Sequence, residues 1–261
     1  MMLAVFAFLS LAFLLDFLGR RAPALICLAA SLGLTLYLFA WEIYSPEYGF
    51  RMPWLQVELE QRPPVAGGAR PMKDIPESGL AATLDRLILS LMLLALAGVL
   101  TAAMGFQYLD GEIPCPLCLL QRVAMFACCF GLIRQLKDGG SQRGAGVAMI
   151  SAVLLLVISV RQTLLDIVPR PGHAYIGAAV FGLHMAVWSV LIGIALLIGF
   201  AVRLAVLGGP NWASPAESST LARLSTGLGL YVAILCAINF ISVLVQCGFG
   251  QCHTTGYALL R

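Results

Sequence analysis

Apolar stretches of about 20 residues, the length a helix needs to cross the hydrocarbon core of a bilayer, recur along most of the chain. They lie near residues 2–19, 24–44, 84–108, 117–135, 145–166, 182–206 and 224–246. Lipid offers the backbone no hydrogen-bond partner, so each run is predicted to be a transmembrane helix and the fold class is all-α integral membrane protein. A composition 60% hydrophobic and 11% charged excludes a soluble globular domain. The net charge of +3 is spread over the connecting segments and gives no argument for nucleic acid. The first run, MMLAVFAFLSLAFLLDFL, lacks the basic start and small-residue cleavage site of a signal peptide and reads as a span.

Two polar segments divide these runs. Residues 1–45 are expected to form a transmembrane hairpin, and residues 46–83, rich in proline, glycine and charge, a loop. A four-helix unit over 84–207 follows, and then a region over 208–261 made of the linker GGPNWASPAESST, a last helix and a cysteine-containing tail. Lysine and arginine mark cytoplasmic loops. Arg134, Lys137 and Arg143 fall between the fourth and fifth helices, and Arg203 and Arg223 flank the linker, whereas the segment before Cys115 carries Asp110 and Glu112. Alternation from these points puts Cys115, Cys118 and the tail outside. Carried backwards, it makes the loop before residue 84 cytoplasmic, with its Arg51, Arg62, Arg70 and Lys73, and leaves Arg20 and Arg21 outside.

Of the eight cysteines, Cys27, Cys128, Cys129 and Cys236 lie within apolar runs and read as small core residues. The other four form two close pairs at helix ends on the outer side. In GEIPCPLCLLQR, Cys115 and Cys118 have the CxxC spacing at a helix start, where the helix N-terminus favours the thiolate and Pro116 is tolerated. Such a pair supports thiol–disulfide exchange. In QCGFGQCHTTGY, Gly248 and Gly250 supply a turn that lets Cys247 and Cys252 meet. Three other readings remain open: a structural staple that never turns over, a zinc site joining the pairs with His253, and haem attachment, for which Cys252-His253 lacks the CxxCH spacing.

The segment PCPLCLLQR, a later helix ending RQTLLDIVP and another opening FGLHMAVWSVL together resemble the disulfide bond formation protein B (DsbB) family of bacterial inner membranes, over about residues 84–206. The resemblance implies a four-helix core, here with an extra N-terminal hairpin and one extra C-terminal helix. It implies that Cys115 and Cys118 are the redox pair beside a membrane quinone, ubiquinone or menaquinone, and that Arg122 helps to hold the quinone head group. A guanidinium at that depth can donate to a quinone carbonyl; its alternative role is snorkelling to the membrane surface. Gln121, Arg161, Gln162 and His184 are further candidates for contact with the quinone. Some relatives carry a histidine near where this chain has Gln162, and His184 reads equally as a hydrogen-bonded core residue.

The chain also departs from that pattern. The best-known members carry a second cysteine pair between the last two core helices, and IVPRPGHAYIGAAVFG has none. Cys247 and Cys252 are expected to take its place, receiving electrons from a periplasmic dithiol protein of thioredoxin-like fold. The N-terminal hairpin and its loop are candidate contacts for an additional membrane subunit. One alternative is a non-catalytic membrane subunit with structural disulfides. A transporter is disfavoured, since Asp16 and Asp166 lie near span ends and form no intramembrane relay.

Overall fold

The computed structural model describes residues 1–45, 49–50, 79–167, 179–207, 220–248 and 252. In chain order these form α1 (Met2–Phe17), α2 (Arg21–Ile43), β1 (Tyr44–Ser45), β2 (Gly49–Phe50), α3 (Gly79–Leu109), α4 (Pro116–Lys137), α5 (Gln142–Ile167), β3 (Ala179–Val180), β4 (Leu183–His184), α6 (Met185–Leu207) and α7 (Thr220–Cys247). The two strand pairs are short antiparallel hairpins. Six of the helices, α2 to α7, are long and apolar enough to cross a membrane. The protein is an all-α integral membrane protein.

The helices differ in how much of their surface is covered. Every residue of α4 from Leu119 to Leu136 is buried, whereas only 22% of the apolar span of α6 is. In lipid the helix that carries polar groups, here Gln121, Arg122, Arg134 and Gln135 of α4, is the one that belongs inside the bundle. Accordingly α1, α2, α3, α5 and α7 all pack on α4. Its closest approach is to α5: a Cβ added at Gly131 would stand 2.6 Å from the backbone nitrogen of Ala148, and one added at Gly144 2.9 Å from that of Gln135. Small residues let membrane helices touch backbone to backbone in this way.

Charged groups gather where α4 ends. Asp16 of α1 accepts from Arg134 at 3.1 Å and Lys137 at 2.9 Å, and Asp138 pairs with Arg134 and with Arg21, both at 3.1 Å. Arg134 and Lys137 also complement the negative end of the α4 dipole. Arg203 of α6, 2% exposed, makes a two-pronged ion pair with the buried Asp85 of α3 and donates to Gln135 of α4 at 2.6 Å. These contacts define a basic end of the bundle, opposite the end that carries the cysteine pairs.

Three expectations are corrected. First, α1 has 16 residues, which at about 1.5 Å each give roughly 24 Å, short of the bilayer core. It stops at Phe17, where Gly19 at φ +74° turns the chain so that Asp16 meets the α4 cations. Second, the hairpin is inverted relative to the alternation argument: Arg21 reaches Asp138, so the α1–α2 turn lies at the basic end. Helix α2 therefore ends at the opposite end of the bundle from that at which α3 begins with Asp85 near Arg203. Third, α6 starts at Met185 because residues 179–184 pair as a hairpin across Phe181 and Gly182, both at positive φ. The trace of α3 also starts at Gly79, ahead of the expected residue 84. Most of the 46–83 loop and the linker over 208–219 lie outside the described residues.

Replacing Gly131 with alanine inserts a methyl group against backbone that has no free rotamer to yield. The expected cost is about 1–3 kcal/mol, read as a lower unfolding midpoint in detergent, whereas the same change at Gly98, which has open space around it, should cost nothing comparable.

Candidate redox site

The chain enters α4 through a turn at Gly111, φ +69°, and an N-cap at Cys115. The Cys115 sulfur accepts from the Cys118 backbone N–H at 3.1 Å, satisfying one of the first-turn donors that a helix leaves unpaired. Pro116 occupies the first turn, where no donor is needed. Cys115 and Cys118 are joined as a disulfide with their Cα atoms 5.1 Å apart. Cys115 is buried and Cys118 partly so.

Beside the pair lies a cavity of about 640 Å³ between α3, α4, α6 and the β3–β4 hairpin. Cys118, Gln121 and Arg122 stand on its α4 wall, while Phe106, Met125, Phe181 and Trp188 supply flat and apolar surface. Trp188 donates its indole N–H to the Val180 carbonyl at 3.0 Å, fastening the hairpin to α6. Two wall residues have buried amide nitrogens without a partner, Gln107 Nε2 and Gln121 Nε2. Their carbonyl ends are engaged: Gln121 Oε1 accepts from Ser189 at 3.4 Å, and Gln107 Oε1 from Arg122 at 2.6 Å.

Arg122, 8% exposed, is clamped rather than snorkelling. Its Nη1 donates to Gln107 and, at 3.0 Å, to Asn239 Oδ1 of α7; its Nη2 donates to the Ala103 carbonyl at 2.9 Å. Helix α7 thus supplies part of the site. It is held to α3 by Thr101–Tyr231 at 2.7 Å and by Tyr108–Ser242.

The second pair sits at the same end. Cys247 and Cys252 form a disulfide with Cα atoms 4.2 Å apart, and Gly248 closes α7 at φ +55°. Next to Cys247, Gln246 donates from Nε2 to the carbonyl of Pro114 at 2.9 Å, the residue before Cys115. One hydrogen bond therefore ties the end of α7 to the entry of α4.

Of the other candidates, Gln162 of α5 is 7% exposed and places Nε2 3.3 Å from the Cys118 sulfur and 3.7 Å from that of Cys115. Arg161 and His184 are half-buried, and neither they nor Gln162 belong to the cavity wall. His253 lies outside the described residues. The sequence reading missed Gln107, Asn239, Ser189 and Gln246. Asn239 carried the best available signal, a lone amide in the middle of an apolar run, where a buried polar group needs a reason to be there.

The fold and site define a multi-pass membrane protein with a CxxC disulfide at the buried start of its central helix, opening onto an apolar cavity. The family described as disulfide bond formation protein DsbB matches residues 85–174, most of α3 through α5 and beyond. A disulfide bond formation protein B of Nitrosomonas eutropha is 30% identical over 110 residues, 40% of this chain and 68% of that protein. Proteins of the same name from Burkholderia thailandensis and Burkholderia pseudomallei are 35% identical over 77 residues, 28% of this chain, which spans only 41% of their length. No solved structure matches. The chain belongs to the DsbB family. The family match includes Cys115, Cys118, Arg122 and Gln162, and stops short of Asn239, Gln246 and the terminal pair.

Asn239→Leu should leave the buried Arg122 guanidinium one acceptor short and lower stability by about 1–3 kcal/mol. Asn239→Asp keeps an acceptor and should lose less. Unfolding midpoints of the two variants in detergent check the order.

Proposed function

We propose that the protein is a thiol–disulfide oxidoreductase of the bacterial inner membrane, passing electrons from a periplasmic dithiol protein through Cys247–Cys252 and Cys115–Cys118 to a membrane quinone. The observation that carries this reading is that Cys118 stands in the wall of an apolar cavity that also holds two buried, unpaired amide donors. Those donors fit a ring with carbonyl oxygens. Gln107, Gln121 and Arg122 would hold such a head group, with Phe106 and Trp188 as flat surface. A bound quinone supplies the capacity to accept two electrons and two protons.

The chain's own residues set up the exchange. Cys247 is 3% exposed and Cys252 more open, so an incoming thiolate meets the Cys252 sulfur first. Attack there forms a mixed disulfide, breaks the Cys247–Cys252 bond and leaves the electron pair on Cys247 as thiolate. Cys247 lies beside Gln246, whose bond to Pro114 keeps it at the entry of α4. Attack by Cys247 on the Cys115 sulfur then releases Cys118 as thiolate, facing the cavity. The first turn of α4 favours that negative charge. The periplasmic placement of the cysteine end is supported by Arg20, Arg21, Arg134, Lys137 and Arg203, which sit at or beside the other end.

In membranes supplied with a reduced thioredoxin-like dithiol and a soluble quinone, Cys118→Ala should reduce quinone at least 100-fold more slowly than wild type; equal rates would defeat the reading. A partner cut down to a single thiol should attack the intact Cys247–Cys252 bond of the wild-type protein, release Cys247 as thiolate and accumulate a mixed disulfide through Cys252, seen as a non-reducing gel shift. Its absence, with quinone reduction intact, would remove the terminal pair from the route.

A further inference from the structure

Gln162 was a candidate for the quinone, yet it is outside the cavity and against the sulfurs instead. We propose that Gln162 is a catalytic residue of the CxxC pair, its side-chain amide being a binding site for the reduced sulfurs. The proposal rests on the reading that this pair turns over.

Three observations support it. The amide nitrogen lies within hydrogen-bond distance of both sulfurs and nearer to Cys118. Disulfide sulfurs carry lone pairs and no hydrogen, so the end of the amide facing them is the one that donates. The other end, Oε1, is buried and has no partner while the disulfide is intact.

A disulfide sulfur is a weak acceptor and a thiolate a strong one, so the same N–H contributes far more once the bond is broken. With Oε1 unmet, the sulfurs are what hold the amide: a pair with a thiolate offers Nε2 one strong acceptor, where the oxidised pair offers two weak ones. Gln162 thereby favours the reduced state over the disulfide and makes the pair a stronger oxidant. Glutathione serves as the probe. Two glutathione thiols give the pair two electrons; the Cys115–Cys118 bond breaks and a glutathione disulfide forms. Of the two protons released, one stays on a sulfur of the pair and the other goes to solvent.

The test equilibrates the full-length protein in nanodiscs across glutathione redox buffers, quenches with acid, and counts reduced Cys115–Cys118 and Cys247–Cys252 separately by mass spectrometry. Gln162→Met keeps the bulk and loses the donor. It should shift the midpoint of Cys115–Cys118 about tenfold toward reducing buffer, about 30 mV, and leave the terminal pair unmoved. Gln162→His restores an N–H and should return the midpoint to within about threefold of wild type. An unchanged midpoint in Gln162→Met, an equal shift of both pairs, or a histidine variant no better than methionine would each overturn the proposal. Neither quinone nor partner protein takes part, so such a result would leave the proposed electron route standing, and a failed quinone assay would remove the turnover without touching the shift in midpoint.

Discussion

Because α4 is buried from Leu119 to Leu136 with helices on every side, only its two ends meet anything but packed side chains. A helix leaves its first N–H groups and last carbonyls without internal partners. In lipid those groups must be met by protein. At the C-terminal end of α4 the backbone N–H groups of Asp138 and Gly140 meet the carbonyls of Arg134 and Gln135, and cations and carboxylates from α1, α2, α3 and α6 gather around it. At the N-terminal end a cysteine sulfur meets one of the first N–H groups. Placing a disulfide at the start of the most buried helix gives its sulfurs a positive dipole end and a dry surrounding at once.

The two ends also differ in how completely their polar groups are satisfied. Six buried side-chain amides among the described residues have an atom without a partner, and five of them, on Gln107, Gln121, Gln162, Asn239 and Gln246, are at the cysteine end. The sixth, Gln135, is at the basic end, where its other atom accepts from Arg203. Buried polar groups ordinarily find partners, and an accumulation of exceptions marks a place prepared for something else. At the cysteine end, Gln107 and Gln121 stand in the cavity wall and Gln162 lies against the sulfurs.

The sequence showed the runs, the CxxC pair and its place at a helix start, because each is written in contiguous residues. It did not show which helix is central: both α4 and α6 are long and apolar enough to cross a membrane, and the one enclosed by the others, α4, is the less hydropathic. The N-terminal hairpin was inverted because strict alternation was applied across the long segment before α3. Arg20 and Arg21 do follow the rule that basic residues share a side, since they lie with Arg134 and Lys137. The β3–β4 hairpin escaped notice because its turn residues are Phe181 and Gly182, and phenylalanine is rarely found at positive φ. The contacts of Asn239 with Arg122 and of Gln246 with Pro114 join residues more than a hundred positions apart, and one sequence contains no signal for such a pairing.

Helix α7 lies beyond the family match, yet it is built into the site at every level. From its middle to its end it meets α3 through Tyr231 and Ser242, Arg122 through Asn239, and the entry of α4 through Gln246. These contacts progress in order along both helices, so α7 runs parallel to α3 as a rigid strut and fixes where Cys247 stands. A second cysteine pair carried on a loop reaches a CxxC pair by moving as a loop. Here Cys247 is the last residue of a packed helix and only Cys252 lies past the turn at Gly248. Under the proposed route, one sulfur of the terminal pair is stationary beside the core pair and the other faces outward, so the division of labour between the two cysteines follows from where the helix stops.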